Sequence, residues 1–121
     1  MSKVIIDGLQ KGISYEAYVE LVSSLVAANS TTGDDKSKDY VDYTKLNEKR
    51  MKRWDKTLKI SDVVKTKILE FNHPVTWLVL TESWCGDAAH VLPVLNKIAE
   101  LNEAIDLKIV LRDYNPELMD T

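Results

Sequence analysis

A chain of 121 residues, 45% apolar and 29% charged, is long enough for one domain with one core and too apolar for a disordered or fibrous chain. Its net charge of −3 gives no overall pull toward nucleic acid or an anionic membrane surface, and no stretch approaches the ~18 apolar residues of a membrane span. The opening MSKVIIDGLQKG reaches aspartate and glycine too soon for a secretory signal, and the single cysteine cannot form an intrachain disulfide, so a cytoplasmic, reducing location is expected.

The first predicted element is a helix over 14–28, with Ser14 as N-cap and Tyr15, Tyr18, Val19, Val22, Leu25 and Val26 at helical spacing. NSTTGDDKSKD, 29–39, is polar throughout, carries Gly33 and reads as a mobile loop. A second helix is predicted over 40–57, where Tyr40, Tyr43, Leu46, Met51 and Trp54 form an apolar stripe. SDVVKTKILEF begins a third helical stretch behind Ser61, ended by His73-Pro74 because the residue before proline is driven out of the helical region. Residues 1–74 therefore read as an N-terminal helical region.

From residue 75 the pattern changes. VTWLVL, 75–80, is a continuous β-branched and apolar run, which suits a strand buried on both faces. Helical spacing returns over 87–102 through Val91, Leu92, Leu95, Ile98, Ala99 and Leu101, and DLKIVLRDY, 106–114, alternates as a second strand. Strand, helix and strand form a βαβ unit whose strands should be parallel and neighbouring. Asn115 is placed as an N-cap, Pro116 fits the first helical position and Glu117 suits the positive end of the helix, yet the chain stops at Thr121. Two strands leave unpaired edges, so a truncated domain, or missing strands supplied by a second copy in a homodimer, is expected.

The chemistry concentrates at the strand-to-helix handover. A cysteine in the first turn of a helix faces unpaired backbone N–H groups and the positive end of the helix dipole, which stabilise thiolate over thiol, so Cys85 is the candidate nucleophile. Gly86 permits the tight turn, Trp84 can shield one side of the sulfur, and Pro93 costs about 3 kcal/mol inside a helix, a penalty that a purely structural helix rarely keeps.

WCGDAAHVLP resembles the active-site segment of the thioredoxin superfamily, in which a buried strand runs into W-C-G-x-C and a proline follows eight positions after the first cysteine. Trp84, Cys85, Gly86 and Pro93 fall on those positions, and LKIVLRDYNPEL resembles the next strand and the start of the helix beyond it. The likeness covers roughly residues 75–121, and within the superfamily it is similar to bacterial proteins with a W-C-G-D motif and a helical N-terminal extension. It implies an α/β thioredoxin-like βαβ unit over 75–121, preceded by the helical region in one compact unit, with the C-terminal β-hairpin and last helix of the fold missing.

Four departures shape the functional expectation. Ala88 stands where the second cysteine belongs, so a mixed disulfide at Cys85 has no neighbouring thiol to resolve it and dithiol turnover is excluded. Asp87 replaces the frequent proline; it favours the helix start and partly offsets the dipole at the sulfur. Val79 stands where the superfamily buries an acid, and the cis-proline loop would follow Thr121. The expected activity is at most monothiol thiol-disulfide exchange through Cys85, completed by an external thiol; the alternative is a non-catalytic protein-binding module using the surface around Trp84 and Cys85. The partners are then protein thiols or disulfides, with glutathione as a cap, and neither cofactor, metal, nucleic acid nor membrane.

The remaining polar residues receive plainer readings. Glu82 is expected to be solvated, Asp87 to be a helix-start residue and His90 to be a satisfied core or boundary histidine. Cys85, Asp87 and His90 lack the fourth ligand of a structural zinc site. Seven basic residues between Lys45 and Lys59 read as a solvated helical face, with an interaction module for an acidic partner as the third functional hypothesis.

Overall fold

The computed structural model describes residues 2–120. Six helices surround a two-stranded sheet among these residues: α1 (Lys3–Lys11), α2 (Tyr15–Ala27), α3 (Lys38–Thr57), α4 (Asp62–Glu70), β1 (Val75–Thr81), α5 (Gly86–Glu100), β2 (Ile105–Leu111) and α6 (Pro116–Met119), with a 3-10 turn over Arg112–Tyr114. The serines predicted as caps act as such: Ser14 Oγ accepts from the Ala17 amide and Ser61 Oγ from the Val64 amide. Helix α1 was not anticipated, because Gly8 interrupts its pattern. Its Ser2 hydroxyl caps the Ile5 amide, and a Cβ on Gly8 would stand 2.7 Å from Leu118 Cδ1. Glycine weakens the helix locally but lets α6 pack against it.

Strands β1 and β2 pair in parallel in a register running from Val75↔Ile105 to Thr81↔Leu111, with α5 as the crossover, as the βαβ pattern predicts. The core lies where α2, α3 and α5 meet β2: Tyr15, Tyr18, Val22, Met51, Ala89, Leu92, Leu107 and Ile109 form one buried cluster. Strand β1 is mostly half-buried rather than sealed on both faces. The outer edge of β2 is covered at one point, where Ile13 and Ile109 exchange two backbone hydrogen bonds of 2.8 Å.

Strand β2 ends at Leu111, three residues before the predicted limit, because the chain winds into the 3-10 turn and Asn115 Nδ2 donates to the Leu111 carbonyl at 2.7 Å. That bond also corrects the role of Asn115, whose side chain does not cap α6.

Candidate functional site

The β1–α5 turn, Glu82 to Cys85, is held from beneath by polar side chains of distant segments. Ser83, buried to 1% exposure, is the hub. Its Oγ lies 3.0 Å from Thr31 Oγ1 and 2.9 Å from Thr44 Oγ1, and it accepts from the Thr32 amide at 2.9 Å. Its own amide donates to Thr32 Oγ1 at 2.8 Å, and its carbonyl accepts from Asn47 Nδ2 at 2.9 Å. Buried backbone and hydroxyl groups need such partners, so this arrangement fixes the turn preceding Cys85.

Two expectations are corrected here. The polar segment after α2 is not a mobile loop at its start: Thr31, Thr32 and Gly33 are buried against the turn. On α3 the buried face carries Val41, Thr44, Asn47 and Met51, while Tyr43 and Leu46 of the predicted stripe remain 49% and 42% exposed. Thr44 and Asn47 are drawn inward because Ser83 gives their polar groups partners that an apolar residue could not use.

Cys85 is the N-cap of α5, with extended backbone (φ −75°, ψ 113°), a half-buried side chain and a sulfur that makes no capping hydrogen bond. Its sulfur is a free thiol beside the unpaired first-turn amides of a 15-residue helix. Gly86 follows, and the position its Cβ would occupy is 3.3 Å from Arg50 Nη1. Arg50 is itself aimed by Asn47, whose Oδ1 accepts from Nη1 at 3.0 Å. One asparagine thus ties the Ser83 carbonyl to a guanidinium at the α5 N-terminus. Arg50 belongs to the basic run that the sequence reading left as a solvated face.

Trp84 is clamped between two side chains. Tyr40 stacks on it with ring centroids 4.6 Å apart and planes 16° off parallel, and the Arg112 guanidinium carbon sits 5.0 Å from its centroid. Below the turn, Tyr18 is fully buried; burial first, then the nearby charges of Cys85 and Glu82, push its hydroxyl up to about 12, with the Thr81 hydroxyl opposing. The Tyr18 phenol is therefore a neutral floor to the site.

The other predicted positions are distributed as follows. Asp87 is exposed, Ala88 is half-buried where a second thiol would stand, and Pro93 is buried inside α5. His90 is exposed but satisfied, since Trp54 Nε1 donates to its Nδ1 at 2.8 Å. Cys85, Asp87 and His90 do not converge, and among the described residues no group of three such side chains is placed to hold a metal ion.

Glu82 is the largest correction. Expected in solvent, it is 2% exposed, and neither carboxylate oxygen has a hydrogen-bond partner. Burial, then the Asp113 carboxylate, raise its proton affinity above the usual carboxylate range; the Arg112 charge opposes more weakly. Gly33 makes room for it: a Cβ there would lie 2.6 Å from both Glu82 Oε1 and Asp113 Oδ2, and its φ of +83° lies in the region that favours glycine. The site therefore does bury an acid, three residues before the cysteine, while Val79 packs against the core. A lone glutamate after an apolar strand carries no signal of burial, so nothing in the local pattern could have revealed it.

The geometry of a parallel β1–α5–β2 unit with a tryptophan-cysteine turn agrees with an independent comparison: the sequence model of the thioredoxin family matches residues 33–121. The chain belongs to the thioredoxin family. The family match begins 42 residues before β1, so it takes in α3, α4 and the buried Gly33 rather than only the stretch from residue 75. No curated protein and no solved structure matches the chain. Of the residues that build the site from the N-terminal side, Thr44, Asn47 and Arg50 of α3 lie inside the matched span, whereas Thr31 and Thr32 stand just before it.

Proposed function

We propose that this thioredoxin-like protein performs monothiol thiol-disulfide exchange through Cys85. The carrying observation is the position of its sulfur: half-buried at the N-cap of α5, outside any capping bond, with the Arg50 guanidinium beside Gly86. A half-buried sulfur at the start of a helix, with no capping hydrogen bond, is placed to attack a disulfide presented from outside the fold.

The reaction balances without a cofactor. The Cys85 thiolate attacks one sulfur of a partner disulfide; the new S–S bond forms as the old one breaks, and the electron pair leaves on the partner's second sulfur, which takes a proton from water. With Ala88 in place of a resolving cysteine, the mixed disulfide persists until an external thiol attacks the partner-derived sulfur and releases Cys85. A reducing cytoplasm would supply that thiol, and protein disulfides are the first class of partner.

The test follows mixed-disulfide formation with neutral 2-hydroxyethyl disulfide by intact mass at pH 7. The native protein is expected to react at least about tenfold faster than an unstructured neutral cysteine peptide, and Cys85→Ser to give no adduct. A rate at or below that of the peptide would leave a non-catalytic binding module as the correct reading.

A further inference from the structure

A groove of about 560 Å³ runs between α3 and α5, lined by Leu46, Lys49, Arg50, Arg53, Trp54 and His90 among others. Three of these residues are cationic and none is acidic, in a chain of net charge −3. Two other basic residues of α3 do pair with a carboxylate one turn away, Lys38 with Asp42 at 3.1 Å and Lys52 with Glu48 at 3.7 Å. Among the described residues no carboxylate forms an ion pair with Lys49, Arg50 or Arg53. Lys49 and Arg53 stand four apart on one helix face, where like charges destabilise a helix by a few tenths of a kcal/mol. Folding gains nothing from that repulsion, whereas an anion in the groove would relieve it.

The groove runs toward the helix start that carries the cysteine. Arg50 lines it and also touches the Gly86 position at 3.3 Å, while Gly86 and His90 are one turn apart on the same face of α5. Its wall is preorganised: Trp54 Nε1 is bonded to His90 Nδ1, and the two rings meet edge to face at 84°. The volume is that of a small-molecule site.

Building on the monothiol reading, we infer that the groove binds the anionic portion of a low-molecular-weight disulfide bearing carboxylate or phosphate groups, and delivers its sulfur to Cys85. The Cys85 thiolate then forms a bond to one sulfur of the small disulfide, whose S–S bond breaks; the departing small thiolate carries the electron pair and takes a proton from water. The small thiol left on Cys85 is then passed to a different thiol, that of a protein: its thiolate attacks the small-molecule sulfur, the Cys85 S–S bond breaks, and Cys85 leaves as thiolate with the electron pair.

The experiment compares rates of adduct formation on the native chain with oxidised glutathione (carboxylates), coenzyme A disulfide (phosphates) and neutral 2-hydroxyethyl disulfide, each divided by its rate with a free neutral cysteine peptide. One or both anionic probes should show an advantage of about tenfold over the neutral one at low ionic strength, shrinking toward one in about 0.5 M salt. The faster probe distinguishes carboxylate from phosphate recognition. The advantage should also collapse in the double variant Lys49→Gln/Arg53→Gln and persist in Lys56→Gln, an exposed α3 residue outside the groove. A native ratio near one, or a ratio unmoved by the double variant, overturns the inference while leaving exchange with the neutral disulfide intact. If Cys85 reacts with no disulfide, the monothiol reading fails. Titration with unreactive S-methylglutathione, followed through the indole N–H resonance of Trp54, then decides the groove alone: saturation lost in the double variant supports it, and absence of saturation overturns it.

Discussion

Two helices flank the βαβ unit from the N-terminal side, and they treat polarity in opposite ways. Helix α3 buries Thr44 and Asn47 completely or nearly so, and uses them to hold the turn before Cys85. Helix α4 buries nothing: Val63 is 69% exposed and Leu69 61% exposed, and its last turn is tied to the rest of the chain by Asn102 Nδ2 donating to the Ile68 carbonyl at 2.7 Å and to the Phe71 carbonyl at 2.6 Å. Hydropathy alone would assign the reverse. The difference teaches that burial here follows the need to satisfy an irregular turn. A sharp strand-to-helix handover leaves backbone and hydroxyl groups that only polar neighbours can pair, so the polar helix face goes inside.

The largest expected effect comes from breaking the α3 side at its hub. Ser83→Ala removes the shared partner of Thr31, Thr32 and Thr44; the Thr31 and Thr44 hydroxyls keep each other and the Thr32 hydroxyl keeps the residue-83 amide, so the buried Thr32 amide is the group left unpaired, at about 1–3 kcal/mol. A loss of about 2 kcal/mol in urea unfolding is expected, together with slower adduct formation at Cys85 as the turn loosens. A loss under about 0.5 kcal/mol would mean that the network does not anchor the turn.

A smaller effect, of opposite sign, is expected from Glu82→Gln. The native carboxyl is harder to ionise than its ordinary value of 4.5, so the folded state holds a proton that the unfolded chain has already released. Stability of the unaltered protein therefore falls as pH rises from about that value through the elevated folded one, and is constant beyond it. Glutamine lacks this slope and can donate toward Asp113. The variant should match the native protein near pH 4 and be more stable than it at pH 8, where the native chain has to hold its buried carboxylate charged. A gap independent of pH in urea titrations would show that Glu82 is not the buried acid that titrates.

The smallest effect sharpens the comparison from the other side. Leu69→Ser on α4 changes an apolar side chain that is already in solvent, so unfolding free energy should move by less than about 0.5 kcal/mol. A larger loss would indicate that the α4 face is covered in solution.

How much of this was legible depended on whether the signal was local. Ser14 and Ser61 as caps, the proline stop at His73-Pro74, the βαβ unit and the placement of Cys85 at the α5 N-terminus all follow from periodicity and capping chemistry within a few residues. Glu82, Gly33 and Arg50 escaped that reading because their environments are made by segments more than 30 residues away, up to the 80 that separate Gly33 from Asp113. The acid meets Gly33 and Asp113, and the guanidinium meets Gly86. Gly8 misled in the same manner, its reason for being glycine lying in Leu118 at the far end of the chain.

By itself, then, the amino-acid order determined the elements, the parallel pairing and the place of the single cysteine at a helix start, because hydrophobic period, caps and turn residues act over a turn or two of chain. Only the tertiary structure decided which polar residues are internal, which acid is buried and which cation stands at the start of α5. Desolvation and charge depend on distances between side chains remote in sequence, and those distances exist only once the helices have packed.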